Sequence, residues 1–182
     1  MQLEIFELTE ENLFEAPHWG THPYSCKYCL YWEYPELLVD PAMERKEEVF
    51  ARKLAWLRQV QAKFGECGKL LYLGGRAVGY TQYAPGEFFP NTKSYPASPV
   101  SPDAVFIACL FIPGKEHRGH GLGGTLLQRV LEDLRKRGIK AVETFGRKGS
   151  PENPSGPVEF YLKHGFRVLR DEGEFPLLRL DL

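Results

Sequence analysis

The sequence predicts an α/β domain with a mixed, mostly antiparallel sheet flanked by helices and one βαβ unit within it. Three observations carry this. Period-two segments recur along the chain, two long stretches show helical stripes, and one continuously apolar segment leads into a glycine-rich turn and a helix. A chain of 182 residues can bury one substantial core. No repeat, low-complexity tract or composition break divides it, so residues 1–182 read as one domain.

Each element follows from its local pattern. "QLEIFEL" (2–8) alternates as a strand, and Thr9 before "EENLFEA" suits a helix cap with acids in the first turn. Residues 17–35 are aromatic and irregular, a loop or short helix. From Ala42 to Phe64 a helix is expected, with Phe50, Leu54, Leu57 and Phe64 in one stripe, Val49 and Val60 widening it, and Gly65 as the stop. Residues 69–85 read as two strands around Gly74-Gly75. Residues 85–103 carry five prolines and read as a long loop. "DAVFIACLFI" (103–112) suits a strand buried on both faces. A helix over 121–137 follows, with Leu122, Leu126, Val130 and Leu134 in register and Leu127 and Leu131 beside them. "IKAVETF" (139–145), a short helix in "VEFYLKHG", and strands in "FRVLRD" and "EFPLLRLDL" close the chain. The expected order is β-α-α-β-β-β-α-β-α-β-β.

Bulk properties exclude several classes. The chain is 43% hydrophobic and 26% charged with a formal net charge of −1, which gives no electrostatic reason to expect nucleic acid or an anionic membrane as partner. No apolar run approaches the ~18 residues of a membrane span. The N-terminus does not resemble a secretory signal, and four cysteines without one argue against a disulfide framework. The expectation is a cytoplasmic, reduced protein.

The chemistry centres on "HRGHGLGG" (117–124). A glycine turn opening a helix suits phosphates, because the first helical N–H groups lack partners, the dipole is positive there, and glycine admits close approach. Gly119, Gly121 and Gly124 have dinucleotide spacing, and Glu143 lies about 20 residues on, where a ribose-binding acid belongs. Against that reading, "PGKEHR" is too long for the tight turn, and no second mononucleotide half follows. A triphosphate loop fails because Thr125, not lysine, follows Gly124.

The strand "VFIACLFI", then R-G-H-G-L-G-G (118–124), a long helix, a strand and "FYLKHGF" (160–166) resembles the GNAT superfamily of acyl-CoA-dependent N-acyltransferases. The motifs span roughly 103–170, which the resemblance makes the coenzyme-binding core. It implies an N-acetyltransferase that moves an acetyl group from acetyl-CoA to a primary amine, on a small molecule or a protein. Arg118, Gly119, His120, Gly121, Leu122, Gly123 and Gly124 would bind the coenzyme pyrophosphate. Phe111 and Ile112, at the strand end, would lie toward the acetyl group, and Asn153 matches an asparagine found before the last helix. Tyr161 would protonate the departing thiolate. A thiol near pKa 8.5 and a phenol near 10 make that transfer small in cost. The resemblance also places the acceptor side in the first two helices and their connection (about 9–65), and leaves a homodimer open.

Two questions stay open at this stage. Glu143 is the first candidate for the base, with Glu33, Asp103 and Glu174 as others, while His117 and His120 sit in the phosphate loop. The segment "PHWGTHPYSCKYCLYWE" (17–33) sets His18, His22, Cys26 and Cys29 in H-x3-H-x3-C-x2-C, a spacing compatible with zinc though not favoured as such. Redox chemistry, plain thiols in an aromatic acceptor-side wall of Tyr24, Tyr28, Tyr31, Trp32 and Tyr34, and a non-catalytic acyl-CoA- or metal-binding module are the alternatives. Cys109, in the apolar strand, reads as packing.

Overall fold

The computed structural model describes residues 2–19, 25–37, 45–149 and 155–182. Among these residues seven strands, β1 (Leu3–Glu7), β2 (Gly68–Leu73), β3 (Arg76–Pro85), β4 (Ala104–Phe111), β5 (Ala141–Phe145), β6 (Arg167–Arg170) and β7 (Leu177–Asp181), form one sheet in the order β1-β2-β3-β4-β5-β7-β6. Only β4 and β5 run parallel, joined through α2 (Leu122–Lys136); every other neighbouring pair is antiparallel. This is the mixed, mostly antiparallel sheet with one βαβ unit that the sequence predicts.

Strand alternation divides the core into two layers. Phe106 and Ala108 of β4 face Trp56, Leu57 and Val60 of α1 (Lys46–Lys63). Val105, Ile107 and Leu110 face α2 and α3 (Val158–Lys163). All eight residues of β4 are buried, as its continuous apolar run requires. The five leucines and one valine expected on the core face of α2 are all buried too. Each such side chain stabilises the fold by roughly 1.5–3 kcal/mol. Gly74 and Gly75 both have positive φ, which lets the β2–β3 hairpin close in a turn matched to strand twist.

Two sequence expectations need correction. The helix after β1 is only a single 3-10 turn, Leu13–Glu15. Thr9 N–H donates to Asn12 Oδ1 at 2.8 Å, and Asn12 N–H donates to Thr9 Oγ1 at 3.3 Å. These side chains close a local turn, and the short span before Pro17 cannot offset the cost of nucleating a helix. Residues 85–103, expected as a plain loop, start at Pro85, the end of β3, and hold two 3-10 turns, Gly86–Phe88 and Pro90–Ser94. They form a packed strap. Trp56 Nε1 donates to the Phe88 carbonyl (2.9 Å), Arg170 Nε donates to that of Ala97 (2.8 Å), and Tyr95 stacks on Trp32 and Phe145 with centroids 5.2 and 4.5 Å away.

Candidate active site

The sheet forks at its centre. β4 and β5 pair over only three residues, ending at Phe106↔Glu143, whereas β3 follows β4 as far as Phe111 and β7 follows β5 as far as Phe145. Beyond Phe106 the two parallel strands are no longer bonded through main-chain partners. At the fork, Thr144 Oγ1 donates to the Ile107 carbonyl at 2.8 Å. A bulge deepens the irregularity: Gln82 opposes Cys109 and Tyr83 opposes Ile107, which leaves Ala108 as the extra residue of β4. Ala108 and Cys109 both join the α1-side core as a result, and a bulge of this kind re-aims main-chain groups at functional sites.

The glycine loop caps the mouth of this fork. The residues that lengthen the connection form a 3-10 turn, Lys115–His117. Arg118 folds back over it, donating from Nε to the Ile112 carbonyl (2.9 Å) and from Nη2 to that of Pro113 (3.1 Å), with its guanidinium 5.5 Å from the Phe111 ring centroid. Arg118 therefore ties the loop to the strand end. Phe111 and Ile112 are both buried, Phe111 edge-on to Trp19 at 6.0 Å and Ile112 in the α2-side core.

The four glycines serve two purposes. Gly119 (φ +77°) and Gly121 (φ +78°) occupy the left-handed region, and a Cβ at either would meet nothing within 4 Å. Both are exposed, as is His120. Gly123 and Gly124 instead admit α3: a Cβ would lie 3.5 Å from the Phe160 ring and 2.7 Å from His164 Nε2 respectively. Leu122 is buried and anchors the helix start. Thr125 is the first helical residue whose N–H reaches a main-chain acceptor within the helix start, the Gly121 carbonyl at 3.0 Å. The helical amides ahead of it precede the first such bond and stand at the positive end of the dipole, where a phosphate-bearing group is favoured. A cleft of about 560 Å³ opens on the far side of the connection, lined by Glu15, His18, Lys27, Arg76 and His117 among others.

Tyr161 lies in α3, fully buried between Phe160 and Phe166 (centroids 5.1 and 5.2 Å), and its hydroxyl donates to the Ser155 carbonyl at 2.9 Å. Burial holds the phenol well above its ordinary value, partly countered by the neighbouring Thr144 hydroxyl. The group thus stays protonated and adjoins the residue that bridges the fork. Asn153 lies outside the described residues.

The carboxylates differ sharply. Glu143 is fully buried, and each of its oxygens has a donor: Arg179 Nη1 at 3.0 Å on Oε1 and Ser101 N–H at 2.8 Å on Oε2. Arg179 also binds Asp103 and Asp181, and those bonds hold Asp103 below the usual carboxylate range. Glu174 faces Arg147 at 3.8 Å and is exposed. Glu33, in contrast, is buried with Lys53 and Gln82 on one oxygen only. Lys53 was not singled out by the sequence reading. The signal was there, because position 53 falls on the same α1 stripe as Phe50, Trp56, Leu57 and Val60, and a lysine there must be paired to be tolerated.

The cysteine segment holds no group of three or more potential metal ligands among the described residues; His22 lies outside them. Cys26 is buried and accepts a bond from Trp19 Nε1 at 3.2 Å. Burial pushes its thiol up to about 12 and also raises that of Cys29, which disfavours the thiolate that metals and redox partners need. Among the described residues no helix is long and apolar enough to cross a membrane.

Solved structures share this architecture. The paia N-acetyltransferase of Thermoplasma acidophilum, in complex with coenzyme A, is 15% identical with all of both chains covered and a TM-score of 0.61. An N-acetyltransferase from Staphylococcus aureus Mu50 is 12% identical, with 100% of this chain and 98% of that chain covered and a TM-score of 0.60. The ribosomal-protein-S18-alanine N-acetyltransferase of Escherichia coli is 13% identical over 99% of this chain and 94% of its own, with a TM-score of 0.56. At such identities the likeness is one of fold. No curated protein matches the sequence. The model of the acetyltransferase (GNAT) family matches residues 27–166, which include the fork, the glycine loop and α3, and the chain belongs to that family.

Proposed function

We propose that this acetyltransferase acetylates a primary amine, with the coenzyme pyrophosphate on the amides of residues 119–124 and Tyr161 as the proton donor. Family membership makes the chain an acetyl-CoA-dependent acetyltransferase; the acceptor and the residue roles are our reading. The observation that carries it is the juxtaposition of a forked β4–β5 pair with a glycine-lined helix start at the mouth of the fork.

Each residue has a defined task. Gly119 and Gly121 have open space where a Cβ would stand, which would let a diphosphate approach the main chain, and Arg118 keeps the loop against the end of β4. The main chain of β4 around the bulge at Ala108 offers polar groups that β5 does not take up, suited to the developing charge on a carbonyl oxygen. Acetyl-CoA supplies the thioester that the amine attacks. Tyr161, kept neutral by burial, gives its proton to the sulfur as the carbon–sulfur bond breaks; burial makes this transfer costlier than for a free phenol, and the proton that the amine sheds on becoming an amide returns through solvent water to the phenolate. Glu143 has both oxygens engaged, so we assign it to holding β5, β7 and the strap together rather than to taking a proton.

The test is direct. Free thiol release from acetyl-CoA is followed with a panel of primary amines, and coenzyme A affinity is measured by calorimetry. Tyr161→Phe should lower kcat by about 100-fold or more while coenzyme affinity stays within a factor of about two. An unchanged kcat would remove Tyr161 from the role, and no thiol release with any amine would remove the acceptor class.

A further inference from the structure

The cleft of about 560 Å³ beside the connection takes no part in the steps above. It lies past the end of β4 on the β3 side, whereas the fork opens on the β5 side, and among the described residues neither β5 nor α3 lines it. Three segments build it: the chain that follows the first turn, the start of β3, and the connection around Pro113 and His117. Two of these are features that acetyl transfer leaves without a role, the irregular segment from residue 17 and the 3-10 turn that lengthens the connection. The volume falls in the range of small-molecule sites, about 300–1,000 Å³.

The lining decides the ligand's chemistry. Part of it is apolar, with Phe14, Pro17, Ala77 and Val78 among its residues. The Phe14 side chain is 59% exposed, the highest of the large hydrophobic residues described, so an apolar body lying on it removes that surface from water. Two cations also line the cleft. Arg76 is exposed, and its guanidinium has no ion-pair partner among the described residues. Lys27 Nζ donates to the Phe14 carbonyl, which leaves two of its three donors. Burial, and then the Lys46 charge, lowers the Lys27 pKa, so a negative group nearby relieves it.

Two carboxylates limit how much negative charge the cleft accepts. Glu15 Oε2 takes the Tyr72 hydroxyl at 2.8 Å, and Glu116 stands 3.5 Å from His117 Nε2. Both line the cleft and oppose a dianion such as a phosphate monoester. A single carboxylate meets a guanidinium through two parallel hydrogen bonds.

We propose that this cleft is a second binding site, for a small apolar monocarboxylate whose acid group Arg76 holds and whose body covers Phe14. The site is separate from the fork and does not depend on the roles assigned there.

The full chain, saturated with coenzyme A, is titrated with phenylpropionate and with its neutral isostere phenylpropanamide, and binding is read from main-chain amide shifts by NMR. The acid should bind about tenfold or more tightly than the amide, with shifts centred on Gly75, Arg76 and Gly114. Arg76→Gln, at an exposed position, should cut the preference to about threefold or less while thiol release without the probe stays that of the wild type. Phenyl phosphate should bind no better than the acid. Equal binding of acid and amide, no binding of either, or a preference that survives in Arg76→Gln overturns the proposal. A tighter grip on phenyl phosphate overturns the monocarboxylate class. Competition between the acid and coenzyme A, or shifts centred on residues 119–124, puts the acid in the coenzyme's place and also overturns it.

Discussion

Thr144 of β5 donates its hydroxyl to the Ile107 carbonyl of β4 across the fork, at 2.8 Å and one residue past the last Cα pair. This side chain does the work that a ladder bond would do elsewhere in a sheet, and it adjoins the Tyr161 phenol. Thr144→Val keeps the shape and leaves the buried carbonyl without its donor. We expect a loss of about 1–3 kcal/mol in urea unfolding, with a lower kcat and an unchanged coenzyme affinity.

Gly124 of α2 lies against His164, the residue that ends α3. A Cβ at position 124 would stand 2.7 Å from His164 Nε2, and the imidazole is held at its other end, where Nδ1 lies 2.7 Å from the Phe160 carbonyl. Gly124→Ala should therefore push α3, and Tyr161 with it, at a cost of about 1–3 kcal/mol. Combining it with His164→Ala should restore most of that loss. A double-mutant cycle on thermal unfolding reads the coupling directly.

Glu143→Gln distinguishes an anchoring carboxylate from a proton acceptor. Its oxygens serve Arg179 and Ser101, so the substitution should lower stability by about 1–3 kcal/mol and leave kcat per folded molecule within about threefold. A loss of about 100-fold in kcat without a change in fold would reinstate Glu143 as the base.

Stability should fall in mild alkali. Burial pushes the Cys26 and Cys67 thiols from an ordinary 9.0 up to about 12. The folded chain then keeps protons that the unfolded chain gives up. Their contribution is complete below 9.0 and is lost progressively as pH rises toward about 12, at a few kcal/mol in all. Urea midpoints measured from pH 8 upward (roughly the range where thiols begin to ionise) should decline, and Cys26→Ala should flatten the slope.

Periodicity and apolar runs made the sheet legible. "DAVFIACLFI" reads as a strand buried on both faces because β4 lies at the centre of the sheet, and the α2 stripe matched its buried face residue for residue. The turn at Leu13–Glu15 was misread as a helix because Thr9 and Asn12 carry capping chemistry that serves a lone turn equally well. The glycine turn itself was legible, with Gly119 and Gly121 both in the left-handed region, and its role toward a phosphate is our proposal. Glu33, Lys53 and Gln82 were not, because they come from three separate segments and meet only when α1 packs on β3 and β4. Glu143 looked suitable from its strand position, but the sequence could not reveal that Arg179 and Ser101 would occupy both its oxygens.

The three-residue contact between β4 and β5 makes the sheet mechanically two wings on a narrow seam, one built on β1 through β4 and the other on β5, β7 and β6. A molecule lodged in that seam acts as a rivet between them. Occupancy and resistance to unfolding then rise together by mass action, by about 2.7 kcal/mol at a hundredfold excess over Kd, so the enzyme is sturdiest when it is loaded.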